Sequence, residues 1–170
     1  DGLFIQPVIG RKKPGDYNAE TILKCYKVLV EKFYPKDRVL LGALSTYSRY
    51  AGPREAIFTG LVRQNYGATH FIVGRDHTGV GNFYEKYASH DLYRELMNEL
   101  DFTPLFFYGP SYCKKCESII TEKTCPHNEE DKLEISGTKM RALLKNGEKP
   151  PREFMRPEVY EHIDENSFIQ

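Results

Sequence analysis

Thr69-His70-Phe71-Ile72-Val73-Gly74-Arg75-Asp76-His77-Thr78-Gly79-Val80-Gly81 decides the fold. A short, largely apolar run, residues 69–73, passes straight into a glycine-rich loop, as a buried strand does where it opens onto a ligand crevice at the carboxyl edge of a parallel sheet. Working outward, residues 3–9, 38–44 (RVLLGAL) and 104–108 (PLFFY) are three more short apolar runs. Helical stretches separate them. Residues 16–33 carry Ile22, Cys25, Tyr26, Leu29, Val30 and Phe33 at three- and four-residue steps, with Asp16 or Asn18 as N-cap and Pro35 as the stop. Residues 53–66 start on Pro53 and end at Gly67, and residues 83–100 read mostly as helix. Alternating strands and helices predict an α/β fold with a parallel sheet covered on both faces.

The chain has 170 residues, enough for one ordinary domain, and its 24 Lys+Arg against 24 Asp+Glu leave no net charge. That excludes a broad basic field, so neither nucleic acid nor an anionic membrane is an expected partner; a small anion is. With 40% hydrophobic and 28% charged residues the chain buries a core and is not a disordered tail. Its apolar runs, such as 3–5 and 39–41, fall far short of the roughly 18 residues of a spanning helix. The first residues lack an initiating Met and a signal-like n-region and already read as strand, so the chain is expected to be a piece of a longer one and cytoplasmic.

Residues 111–135 break the alternation and read as an inserted knuckle. They hold Cys113, Cys116, Cys125 and His127 in the spacing Cys-x2-Cys-x8-Cys-x-His, which suits a closed tetrahedral Cys3His metal site of structural type, zinc first and iron not excluded. A disulfide with a spare thiol is the alternative. Cys25 fits the apolar face of its helix and reads as core. In the loop 74–81, backbone N–H groups beside glycines can approach an anion, and Arg75 and His77 can donate charge-assisted bonds to phosphate; a tight connection with Asp76 paired to Arg75 is the alternative. Residues 135–141 (ISGTKMR) place Ser136, Thr138, Lys139 and Arg141 at a predicted helix start, where either an anion or an ordinary N-cap accounts for them. Residues 51–55 (AGPRE) form a third turn into a helix. Loops that follow parallel strands share one edge, so Arg49, Arg54, Arg75, Lys139 and Arg141 are expected to converge on one polyanion.

Four blocks in order carry a family resemblance: 50–56 (YAGPREA), 65–77 (NYGATHFIVGRDH), 135–141 (ISGTKMR) and 156–159 (RPEV). Together they resemble ATP sulfurylases, nearly end to end, and the Cys3His knuckle is similar to that of zinc-containing bacterial and archaeal members. The resemblance implies that residues 1–170 are part of a Rossmann-like nucleotidylyltransferase (HUP-type) catalytic domain with 111–135 inserted. It implies adenylyl transfer: sulfate attacks the α-phosphorus of Mg-ATP, giving adenosine 5′-phosphosulfate and pyrophosphate, by positioning and charge neutralisation. Gly74, Arg75, Asp76 and His77 would lie against the nucleotide, with Arg75 and His77 supporting catalysis. Ser136, Thr138 and Arg141 would lie near the phosphates, Tyr108 would border the adenine, and Thr78 and Arg49 would serve sulfate. Thr78 stands where family members commonly have Ala, which adds a methyl and a hydroxyl where sulfate approaches. A homo-oligomer is expected.

The family's Gln-x-Arg-Asn-Pro-x-His-x-x-His motif does not occur in these 170 residues. The resemblance therefore implies that no complete catalytic centre is present in this segment, and that the first strand-helix unit, at the middle of the sheet, is missing, leaving a gap between the halves of the sheet. The 170 residues alone are expected to be inactive. A non-catalytic, zinc-stabilised module that binds adenine nucleotide is the alternative function.

Overall fold

The first strand, β1 (Leu3–Ile5), pairs in parallel with β2 (Val39–Leu41), Leu3 opposite Val39 and Ile5 opposite Leu41. The computed structural model describes residues 1–79, 81, 83–121 and 123–170, so Val80 of the glycine-rich loop lies outside the described residues. Both strands are shorter than the apolar runs 3–9 and 38–44 predict. Pro7 has no N–H to give, and the ladder continues past it only through single bonds, Leu44 N–H to Pro7 O and Ile9 N–H to Leu44 O, with a bridge at Val8 and Leu44.

Between these strands runs α1 (Ala19–Phe33). Of the two predicted caps Asn18 is the one used; its side chain accepts from Thr21 N–H at 2.8 Å. The helix ends because Tyr34 precedes Pro35 and takes an extended backbone, φ −106° and ψ 151°. Thr21 and Val28 are its buried residues, so the inward line runs beside the predicted stripe rather than along it, while half-buried Cys25 places its Sγ 4.0 Å from Val159 O.

The chain divides into two compact units, one formed by Asp1–Ser48 with Pro110–Gln170 and the other by Arg49–Gly109. The second unit is a parallel pair with two helices. Helix α2 (Pro53–Asn65) starts on Pro53, and Gly67, at φ +92°, follows its end as predicted. Strand β3 (His70–Val73) pairs with β4 (Thr103–Phe106), His70 opposite Thr103 and Val73 opposite Phe106. Ala56, Val73, Tyr93 and Phe102 form the core, with Ile57, Phe71, Leu100 and Phe106 against it. Gly60 is required there: a Cβ would stand 2.7 Å from the Phe102 ring.

Helix α3 (Ala88–Glu95) is much shorter than the predicted 83–100. Residues before it are held in loop form by Asp76 N–H donating to Lys86 O, and Tyr84 lies against Gly52. Beyond it the chain tightens into a single 3₁₀ turn, Met97–Glu99.

Back in the first unit, the predicted knuckle is a three-stranded antiparallel sheet in the order β6-β5-β7: β5 (Ser111–Cys113), β6 (Ser118–Ile120) and β7 (Lys132–Glu134). It leads into α4 (Gly137–Lys145), and the last helix is one turn, α5 (Pro157–Tyr160). The parallel strands thus form two separate pairs, not one continuous covered sheet, with no ladder joining β1–β2 to β3–β4 among the described residues. No helix among those residues is long and apolar enough to cross a membrane.

Candidate functional site

The four knuckle ligands come together. Cys113 ends β5, Cys116 lies in the turn after it, and Cys125 and His127 lie between β6 and β7. His127 Nδ1 is 3.4 Å from Cys113 Sγ, 3.3 Å from Cys116 Sγ and 3.6 Å from Cys125 Sγ. Cys116 and Cys125 sulfurs are 3.8 Å apart, and all four ligand atoms lie within 4.8 Å of one another. The disulfide alternative is not realised, because all cysteines are free thiols. Burial works against a Cys113 thiolate, but hydrogen bonds from Cys116 N–H, from the Cys116 and Cys125 side chains and from Lys115 N–H prevail and bring its pKa to about 6. The group can hold a metal ion. An ion pair of Lys115 with Asp131 at 2.7 Å closes the turn around it.

In the second unit the glycine-rich loop leaves β3 with two non-glycine residues in the left-handed region, Asp76 at φ +48° and Thr78 at φ +60°. Asp76 folds its carboxylate onto the Gly79 backbone, in space that a Cβ would need. Arg75 lies along Gly109, where a Cβ would meet its Nε and Nη1 at 2.9 Å. His77 Nδ1 accepts from Gly74 N–H at 3.3 Å. Its pKa is lowered to about 4, by burial first and then by the Arg63 cation and His90, against a smaller opposing pull from Glu55. Burial thus disfavours the His77 charge in the folded chain.

The turn before α2 meets the same loop. Glu55, buried in the first turn of α2, accepts Arg49 N–H at 2.8 Å and Ala51 N–H at 3.0 Å through its two oxygens. The Arg49 guanidinium lies 4.5 Å above the Phe58 ring. Thr78 O accepts Gly52 N–H at 3.2 Å, and Thr78 Oγ1 is 2.7 Å from Gly52 O. The Thr78 hydroxyl, expected where sulfate approaches, is thus engaged by the neighbouring turn.

Tyr108 lies two residues past the end of β4 rather than at it. It packs edge-on against Tyr87 and His90, with ring centroids 5.4 and 5.8 Å away. In the first unit Ser136 is the N-cap of α4, its Oγ accepting Lys139 N–H at 3.2 Å. Arg141 folds back over the same turn, donating to Thr138 Oγ1 at 3.5 Å, and Lys139 pairs with Glu134 at 3.3 Å. Of the five basic residues expected to converge, Arg49, Arg54 and Arg75 belong to one unit and Lys139 and Arg141 to the other.

Two side chains escaped the sequence reading. Glu55 was passed over because its partners are backbone N–H groups, which leave no trace in a sequence. His90 is wholly buried; its Nε2 is 3.0 Å from Val73 O, at the root of the loop, and its pKa is lowered chiefly by burial. Its place on a helix facing a strand end was the only available sign.

A family model described as ATP-sulfurylase matches residues 1–166. The sulfate adenylyltransferase of Pyrococcus abyssi (strain GE5 / Orsay) is 54% identical over 172 residues, covering 100% of this chain and 45% of the relative. That of Ignicoccus hospitalis is 52% identical over 163 residues, covering 96% and 42%, and that of Persephonella marina 47% over 159 residues, covering 94% and 41%. The chain thus spans somewhat less than half the length of these curated relatives. Among solved structures, one titled hexameric APS kinase from Thiobacillus denitrificans superposes with a TM-score of 0.69 at 16% identity, covering 95% of this chain and 30% of that one, which bears on the fold. With a family match over nearly its whole length and relatives at about half identity, the chain belongs to the ATP-sulfurylase family.

Proposed function

We propose that this chain is the nucleotide- and oxyanion-handling part of a sulfate adenylyltransferase. A sulfate oxygen attacks the α-phosphorus of Mg-ATP, the bond from that phosphorus to the bridging oxygen breaks, and pyrophosphate leaves, giving adenosine 5′-phosphosulfate. The observation that carries the reading is the family match over residues 1–166. Residues 1–170 are read as part of the nucleotidylyltransferase catalytic domain, with 111–135 as its insertion.

In the second unit, Gly74, Arg75, Asp76 and His77 receive the nucleotide, and Tyr108 borders its base. Arg49 and the Thr78 backbone receive sulfate, since a positive-φ turn aims N–H groups at an anion. In the first unit, Ser136, Thr138 and Arg141 bind phosphate at the start of α4, where unpaired helix N–H groups and the helix dipole favour negative charge. A neutral His77 donates a hydrogen bond through Nε2 without adding net charge. A homo-oligomeric, cytoplasmic enzyme is the expected setting.

Zinc is the proposed occupant of the knuckle. Around Zn²⁺ with bonds of about 2.3 Å to sulfur and about 2.0–2.1 Å to nitrogen, tetrahedral edges are about 3.8 Å (S to S) and about 3.5 Å (S to N). The separations of 3.8 Å and 3.3–3.6 Å fit those edges. Cys113, Cys116, Cys125 and His127 would hold the ion, which would supply a structural crosslink.

The test compares the 170 residues alone with the same residues joined to the remainder of the Pyrococcus abyssi relative. Alone, ATP binds without pyrophosphate release, because the Gln-x-Arg-Asn-Pro-x-His-x-x-His motif does not occur here. Joined, pyrophosphate release depends on sulfate. Release that ignores sulfate in the joined protein overturns the proposal.

A further inference from the structure

Thr78 holds φ +60°, a backbone that β-branched residues rarely adopt and that persists only where the surroundings enforce it. The enforcing contacts are to one residue across the loop. Thr78 O accepts Gly52 N–H at 3.2 Å. The hydroxyl oxygen is 2.7 Å from both Gly52 O and His77 O, but a hydroxyl has one proton. Each carbonyl has a second donor, the Ser89 hydroxyl at 3.2 Å on His77 O and Ala56 N–H at 3.0 Å on Gly52 O, and each oxygen has two lone pairs, so the Thr78 hydroxyl has both within donor distance. Gly52 therefore gives to Thr78 and offers its own carbonyl to the Thr78 hydroxyl.

Gly52 is itself at φ +54°, with the Tyr84 ring where a Cβ would stand. One residue back, Ala51 N–H and then Arg49 N–H are fixed on the buried Glu55 carboxylate. Hydrogen bonds and chain connectivity thus link Thr78 through Gly52, Ala51 and the Glu55 carboxylate to the Arg49 backbone, all within the second unit. We infer that Thr78 is a positioning residue for the acceptor oxyanion: its hydroxyl does not touch sulfate but bolts the turn 49–52 to the loop 74–78, fixing Arg49 relative to the loop's N–H groups. This rests on the sulfate reading proposed above.

The test uses the full gene product that carries this chain. Thr78→Val keeps the β-branch and its backbone cost while removing the hydroxyl, and Thr78→Ser keeps the hydroxyl. Steady-state rates with each substrate varied in turn are read beside amide hydrogen exchange at Gly52. Thr78→Val is expected to raise the KM for sulfate roughly five- to tenfold, the worth of one buried hydrogen bond, with the KM for ATP within about twofold of wild type. Gly52 exchange quickens in the Val variant, and Thr78→Ser follows wild type in every reading. A merely structural role would lower kcat by reducing the active fraction and leave the two KM values unsplit, which overturns the inference. So does an unchanged sulfate KM in Thr78→Val. If the wild type consumes no sulfate, the sulfate reading itself fails and Gly52 exchange decides alone: quickened in Val and not in Ser, it supports the bolt; unchanged, it overturns it.

Discussion

His77 lies among groups that disfavour its charge: burial first, then the Arg63 cation and His90. Its folded pKa of about 4 lies below the ordinary value of 6.5, so between those limits the unfolded chain binds a proton that the folded chain refuses. The resulting stability is complete above pH 6.5 and is lost as pH falls toward 4, by about 3 kcal/mol in all. Thermal unfolding followed from pH 7.5 to 4.5 should show this slope, and His77→Gln should flatten it; an equal slope in the variant would refute the assignment. Gly52 offers a second residue-level test. Its φ of +54° and the Tyr84 ring atoms 2.5 Å from a would-be Cβ predict that Gly52→Ala destabilises the protein. The expected loss is about 1–3 kcal/mol in a denaturant titration.

Among the elements, α4 separates capping from anion binding. Ser136→Ala removes a cap and should cost about 1 kcal/mol of stability. Ser136→Asp keeps the cap but places a carboxylate where phosphate is proposed to bind, so ATP affinity should fall about tenfold or more with stability retained. Isothermal titration reads the first effect and thermal unfolding the second; unchanged affinity would leave Ser136 a cap alone. The knuckle predicts one zinc per chain by metal analysis, lost in Cys116→Ala. Chelation should release hydrogen-exchange protection at Tyr112, Ile119 and Leu133, which pair across β5, β6 and β7. Its ligand set was legible because four ligands within fifteen residues depend on local spacing. Its three-residue strands were not legible, since alternation over so short a run carries no period. The Asn18 cap and the Pro35 and Gly67 stops were legible for the same local reason. The late start of α3 was not, because what holds residues 83–87 out of the helix is a bond from Asp76 N–H to Lys86 O and the packing of Tyr84 on Gly52.

For the molecule as a whole, βα alternation foretold parallel pairing, and both parallel pairs are present. A gap between the halves of the sheet was expected from the resemblance, and the two pairs are separate among the described residues; what was invisible is that residues 110–170 group with residues 1–48, because that depends on contacts far apart in the chain. Hydrogen exchange should accordingly report two sets of protected amides, with Phe71, Val73 and Tyr93 in one and Leu3, Ile5 and Val28 in the other. The connectivity also sets an order of events during synthesis. A ribosome delivers the chain from its amino end, so Arg49–Gly109 emerges as one contiguous unit while more than half of the other unit has yet to be translated. Asp1–Ser48 must wait, with the face of α1 that meets α5 uncovered, until Pro110–Gln170 arrives, and that interval is when a chaperone has most to shield.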